Sequence, residues 1–184
     1  MKTIAVFGSG AIKRGTPAYQ TAYDVGAALA RAGYIVMTGG YMGVMAAVSE
    51  GAVAAHTENS TPAADRVIGV TYGPHSRTQD GVNEWVQQEI RYDIHEERLQ
   101  HLVREPDGYV VMPGGMGTQR EFERVAQYVE NGTISVRPMV FVGNHWKQDM
   151  TALLLKVNAP GLREHCIFVD GANAVVSALT AKLG

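Results

Sequence analysis

The chain has 184 residues, with 16 Lys and Arg against 18 Asp and Glu, a formal charge of -2, and 46% hydrophobic residues. This length suits a single domain over residues 1–184 that buries a sizeable core, and the composition excludes a mainly disordered chain. The near-neutral charge gives no electrostatic reason for a nucleic-acid partner, the lone Cys166 cannot close an intrachain disulfide, and no run reaches the ~20 apolar residues of a membrane span, so a cytoplasmic protein with no membrane contact is expected.

Residues 3–7 read as a buried strand running into Gly8-Ser9-Gly10. Thr16 then offers an N-cap hydroxyl and Pro17 a first helical position, so a helix starts there and stops at Gly33. Residues 34–38 form a second short strand, entering Gly39-Gly40-Tyr41-Met42-Gly43 and an alanine-rich helix from Val44 to about Ala55. The polar stretch 56–65, which contains Pro62, reads as a surface loop before a strand at 67–72. Within 73–93 only an extended piece around 85–90 stands out. A helix follows at 94–104, then a strand at 109–112, a third glycine loop, and a helix from Thr118 to about Asn131. Residues 138–142 and 166–169 read as further strands, each followed by a helical stretch. This alternation predicts an α/β chain: a doubly wound, mostly parallel sheet with helices on both faces, Rossmann-like.

Three strands thus run straight into glycine loops that open helices. In an open parallel sheet the ligand sits beyond the carboxyl ends of the strands, where such loops gather. Glycine lets the backbone approach a ligand closely, and the free amides and dipole of a helix N-terminus attract phosphate. The candidate phosphate-binding residues are therefore Ser9, Gly39, Gly40, Gly43, Pro113, Gly114, Gly115, Met116, Gly117 and Thr118. Tight turns joining strand to helix explain any one of these loops equally well. The dinucleotide fingerprint fails because Lys13 stands where its third glycine belongs, and a P-loop fails because Thr16 follows Gly15 in place of lysine.

Glu121 has two readings. Thr118-Gln119-Arg120-Glu121 fits a capping box, yet Glu121 also borders the apolar stripe Phe122, Val125, Ala126 and Val129, which turns it toward the sheet edge. Arg98 lies between Ile94 and Leu102 on one helical face and has no acidic residue three or four positions away, so a ligand or a distant carboxylate is expected to meet it. An arginine snorkelling at the core edge is the alternative. His95-Glu96-Glu97-Arg98-Leu99 lacks the second histidine of a zinc-protease helix, and His56, His75, His101, His145 and His165 are scattered, so neither a metal nor a cofactor is expected.

The segment Pro113 to Glu121 carries Pro-Gly-Gly-x-Gly-Thr-x-x-Glu intact, preceded in order by Val6-Phe7-Gly8-Ser9-Gly10, Thr16-Pro17-Ala18-Tyr19-Gln20 and Gly39-Gly40-Tyr41-Met42-Gly43-Val44-Met45. On these segments, over about residues 3–145, the chain resembles the LONELY GUY phosphoribohydrolases, a family often mislabelled as lysine decarboxylases. The resemblance implies a homodimer that hydrolyses the N-glycosidic bond of a purine or cytokinin nucleoside 5'-monophosphate, such as AMP, to free base and ribose 5-phosphate. It makes Arg98 and Glu121 catalytic and the glycine loops the walls of the nucleotide site. The family's arginine-lysine pair stands here as Arg98-Leu99. Related groups of the same fold are nucleotide-binding or molybdenum-cofactor-binding proteins, so a non-hydrolytic binding or carrier protein is the alternative. Lysine decarboxylation would need a lysine to hold pyridoxal phosphate, and the five lysines fall in no such site.

Overall fold

A computed structural model describes residues 1–58, 66–73 and 81–184. Its centre is a sheet of seven strands: β1 (Thr3–Phe7), β2 (Ile35–Thr38), β3 (Val67–Tyr72), β4 (Gln88–Tyr92), β5 (Gly108–Val111), β6 (Met139–Val142) and β7 (Cys166–Val169). They lie in the order β4-β3-β2-β1-β5-β6-β7, and every pairing is parallel, where a mostly parallel sheet was expected. Among the described residues seven helices accompany them: α1 (Pro17–Arg31), α2 (Val44–Glu58), α3 (His95–Arg104), α4 (Met116–Glu130), α5 (Lys147–Lys156), α6 (Leu162–His165) and, after the last strand, α7 (Ala172–Leu183).

Side chains alternate across each strand, so neighbouring residues feed opposite cores. Ile4 and Val6 join Leu29, Val48 and Leu179 beneath α1, α2 and α7. Ala5 and Phe7 join Leu102, Phe122 and Met150 beneath α3, α4 and α5. Burial on both faces explains why the central strands are almost wholly apolar.

The start of α1 follows its sequence signals. Thr16 accepts a hydrogen bond from the Tyr19 amide at 3.3 Å, and Pro17 occupies the first helical position. Helices α1 and α2 cross at Gly26 and Gly51. A Cβ on Gly26 would collide with the Val48 carbonyl, and one on Gly51 with the Tyr23 carbonyl. Cys166 opens β7 as a free thiol, and burial pushes its pKa up to about 12, as suits an inert packing residue.

The structure differs from the sequence expectation in three places. Helix α2 continues to Glu58, so His56 is helical and buried, not part of a loop; the rest of that expected loop, 59–65, lies outside the described residues, as does His75. The extended piece begins at Gln88, later than expected, because Asn83 ties the chain ahead of it into a turn. Helix α4 begins at Met116 with Gly115 as N-cap, two residues before Thr118.

Candidate functional site

The carboxyl ends of β1, β2 and β5 converge where the strand order reverses, the place where an open sheet leaves a crevice. The loops there are bolted together by backbone bonds. The Ser9 amide donates to the Pro113 carbonyl at 3.2 Å, and the Val44 amide donates to the Ser9 carbonyl at 2.8 Å. Gly8 presses against Val44, whose Cγ1 would lie 2.6 Å from an added Cβ. Gly43 has φ +70, and a Cβ on it would strike the Ser9 carbonyl, so glycine is required there twice over. A cleft of about 350 Å³ opens in front of these loops, floored by Phe7 and Ser9 and walled by Gly39, Tyr41, Thr118 and Glu121.

The first helical bond of α4 runs from the Gln119 amide to the Gly115 carbonyl at 3.1 Å. The amides of residues 116 to 118 precede it and have no intrahelical acceptor, and Gly115, Gly117 and Thr118 all line the cleft. Positive helix-dipole potential and free donors thus face the same space, which is the chemistry of an anion cradle. Gly114 lies directly under Thr118, whose Oγ1 would collide with any Cβ there.

Arg98 is 8% exposed and occupies the opposite wall. Its Nε donates to the Val70 carbonyl at 2.8 Å and its Nη2 to the Gly39 carbonyl at 3.2 Å, while its guanidinium lies 5.5 Å from the centre of the Tyr41 ring. A carbonyl of β3, another just past the end of β2 and one aromatic face therefore hold the cation, a partner set that sequence spacing did not disclose. Tyr41 is itself fixed: its hydroxyl accepts from the Tyr72 amide at 2.8 Å and donates to the Tyr72 carbonyl at 3.2 Å. Asn83, 2% exposed, braces the same loop by donating from its side chain to the carbonyls of Gly40 and Tyr41 at 3.0 and 2.9 Å.

Glu121 does not cap its helix. Because α4 starts at Met116, Thr118 is the third helical residue and Glu121 the sixth, and no side-chain cap bond is present. The capping-box reading fails because Gly115 already supplies the extended N-cap conformation, with φ -112 and ψ -157. Among the described residues the Glu121 carboxylate makes no hydrogen bond or ion pair. Burial pushes its pKa up to about 7, against the downward pull of Arg98. These two side chains are the only ionisable acid and base on the cleft wall among the described residues, apart from the Tyr41 phenol.

Of the residues marked by sequence, Ser9, Gly39, Arg98, Gly115, Gly117, Thr118 and Glu121 come together in the cleft. Gly40, Gly43 and Gly114 stand behind its wall, where their lack of a Cβ lets the loops pack. Met116 is 72% exposed, and Pro113 turns to the far side of the loop. Tyr41 and Asn83 were not marked; an aromatic and an amide inside a glycine-rich or turn-rich stretch carry no periodic signal. Leu99 is buried in the core beneath α3. No group of His, Cys, Asp and Glu suited to a metal ion exists among the described residues. No helix among them is long and apolar enough to cross a membrane.

A Rossmann-like nucleotide-binding fold with an anion cradle at its switch point defines the general class. The chain belongs to the SLOG cluster4 family, whose sequence model matches residues 1–151. No curated protein matches it. Among solved structures it is similar to the molybdenum cofactor binding protein of the phototrophic bacterium Rippkaea orientalis, at 21% identity and TM-score 0.71, covering 98% of this chain and 96% of that one. It is also similar to the molybdenum cofactor carrier protein of Chlamydomonas reinhardtii, at 22% identity and TM-score 0.70, covering 98% and 99%. The single-stranded-DNA-binding DNA processing protein A of Helicobacter pylori shares the fold at 15% identity and TM-score 0.61, covering 98% and 80%. At these identities the likeness is one of fold.

Proposed function

We propose that this protein binds a phosphorylated, nucleotide-like small molecule in the cleft and carries or senses it without cleaving it. The observation that carries the reading is the way Arg98 is held. Its guanidinium is committed to two backbone carbonyls and an aromatic face, and Leu99, where the resembled hydrolases have their lysine, is buried in the core. The wall therefore presents one fixed cation opposite the α4 amides, enough to hold a phosphate monoester and orient what is attached to it. A cleft of about 350 Å³ suits a small molecule. Both a nucleoside monophosphate and the phosphate-bearing pterin of a molybdenum cofactor meet that description, and the similarity to the molybdenum cofactor binding and carrier proteins of Rippkaea and Chlamydomonas favours cargo of the second kind.

Hydrolysis of a nucleoside 5'-monophosphate is the second reading, favoured by one observation. Glu121 makes no hydrogen bond or ion pair among the described residues and has a pKa raised to about 7, so it can exchange a proton near neutral pH. In that reaction it would activate water or steady the charge that develops on the ribose. The two readings separate in one experiment: purified protein is incubated with AMP, and free adenine is measured alongside ligand-dependent thermal shift. Thermal stabilisation without adenine supports the carrier. Adenine release that disappears in Glu121→Gln supports hydrolysis and sinks the carrier reading, and absence of both sinks the phosphate site itself.

A further inference from the structure

A second cavity, of about 300 Å³, opens on the other side of the same loops. Three loops serve both spaces: Ala11, Met45 and Gly115 face the first cleft, while their near neighbours Ile12, Val44 and Pro113 face the second. The ridge between them is fixed by the bond from the Ser9 amide to the Pro113 carbonyl. The two spaces thus flank the β1/β5 switch point, one toward β2 and one toward β6 and β7.

They differ in the charge they present and in how apolar their walls are. The second cavity is walled by Ile12, Val44, Met112 and Val142, and among the described residues no cationic side chain lines it. Among the described residues its only ionisable group is the exposed Asp170, just after β7, whose carboxylate bonds to no other described residue. Aliphatic walls favour an uncharged, flat group, since burying an unpaired charge against them would be costly. The single carboxylate is an acceptor for a ring N–H or amino group and would repel a phosphate. Gly171, the N-cap of α7, also lines the second cavity, but Asp170 stands beside that helix start where the first cleft has Arg98, so a carboxylate already offsets the positive helix end.

We propose that this cavity is a second subsite, taking an uncharged nitrogen heterocycle joined through phosphate to the group in the first cleft, so that the ligand is dinucleotide-like and lies over the Ser9 to Pro113 ridge. The inference rests on the phosphate-binding reading above and adds the class of ligand. In a Rossmann-like sheet a bipartite ligand lies across this point for the same geometric reason, two crevices on either side of one set of loops.

The probes are AMP, ADP and P1,P2-di(adenosine-5') diphosphate, titrated calorimetrically. The dinucleotide is expected to bind at least tenfold tighter than ADP, which shares its phosphates. Ala18→Trp, at the exposed mouth of the second cavity, is expected to reduce the dinucleotide to the affinity of ADP while leaving ADP unchanged. Asp170→Asn is expected to lower dinucleotide affinity in the same selective way, and unchanged melting temperatures establish that both variants fold. Equal affinity for dinucleotide and ADP overturns the second subsite alone, as does an advantage that survives both substitutions or a loss shared by both ligands. Failure of all three probes to bind overturns it together with the phosphate-binding reading.

Discussion

Gly39 and Arg98 are fitted to each other. The Gly39 carbonyl accepts from Arg98 Nη2 at 3.2 Å, and a Cβ on Gly39 would collide with that same nitrogen. The small residue at the end of β2 is thus the seat of a cation carried by α3. Gly39→Ala is expected to unseat the guanidinium, weaken AMP binding at least tenfold and cost about 1–3 kcal/mol of stability, as overpacking does. Calorimetric titration and urea unfolding check both, and undiminished AMP affinity would count against Arg98 as a ligand-positioning group.

Arg98 also has a structural duty. Arg98→Ala removes the donors of the Val70 and Gly39 carbonyls, and a loss of about 2–4 kcal/mol in urea unfolding is expected. Arg104→Ala, exposed on the same helix, should stay within about 0.5 kcal/mol of the parent. Similar losses in the two variants would refute the two-carbonyl seat.

Glu121 gives stability a pH dependence of definite sign. Its pKa in the fold, about 7, lies above the usual carboxylate value of 4.5, so between those values the folded protein holds a proton that the unfolded chain has lost. Stability from this group therefore falls as pH rises from about 4.5 to 7 and is level outside that window. Glu121→Gln should flatten that limb, matching the parent at pH 4 and exceeding it by roughly 1–3 kcal/mol at pH 8. Thermal unfolding from pH 4 to 8 tests this. Parallel curves would mean that the carboxylate is better solvated than its surroundings suggest.

The crossing of α1 over α2 supplies a test away from the cleft. Alanine is the better helix former, so in an exposed helix Gly26→Ala or Gly51→Ala would stabilise by about 1 kcal/mol. Here each is expected to destabilise by about 2 kcal/mol or more, because the added methyl meets backbone of the partner helix. The double variant should fall short of the summed losses, since one separation of the helices relieves both collisions. Chemical denaturation of the three variants decides it.

The central strands were legible because burial on both faces writes itself as short apolar runs, and the glycine loops because each ends such a run. The edge strand β4, Gln-Glu-Ile-Arg-Tyr, was misplaced because its residues are mostly polar and it takes its register from β3. The beginning of α4 was misread for a different reason. Thr118 and Glu121 have the spacing of a capping pair, but the extended backbone at Gly115 had already opened the helix. Asn83 escaped notice because its acceptors, Gly40 and Tyr41, are more than forty residues away. Arg98 was found as a misfit on an apolar face, while the carbonyls that hold it could be seen only once β2 and β3 stood side by side.

The pairing of β1 with β5 sets Ile4 beside Gly108, and it has a kinetic meaning. The first 58 residues contain α1, α2 and the first two glycine loops, a neighbourhood of short-range contacts, whereas the α4 amides arrive only when a much later strand docks along β1. Closing so long a loop is slow compared with forming helices. On a ribosome or after dilution from urea, helical signal will therefore recover before the chain can capture a phosphate, and ligand capture will time the docking of β5.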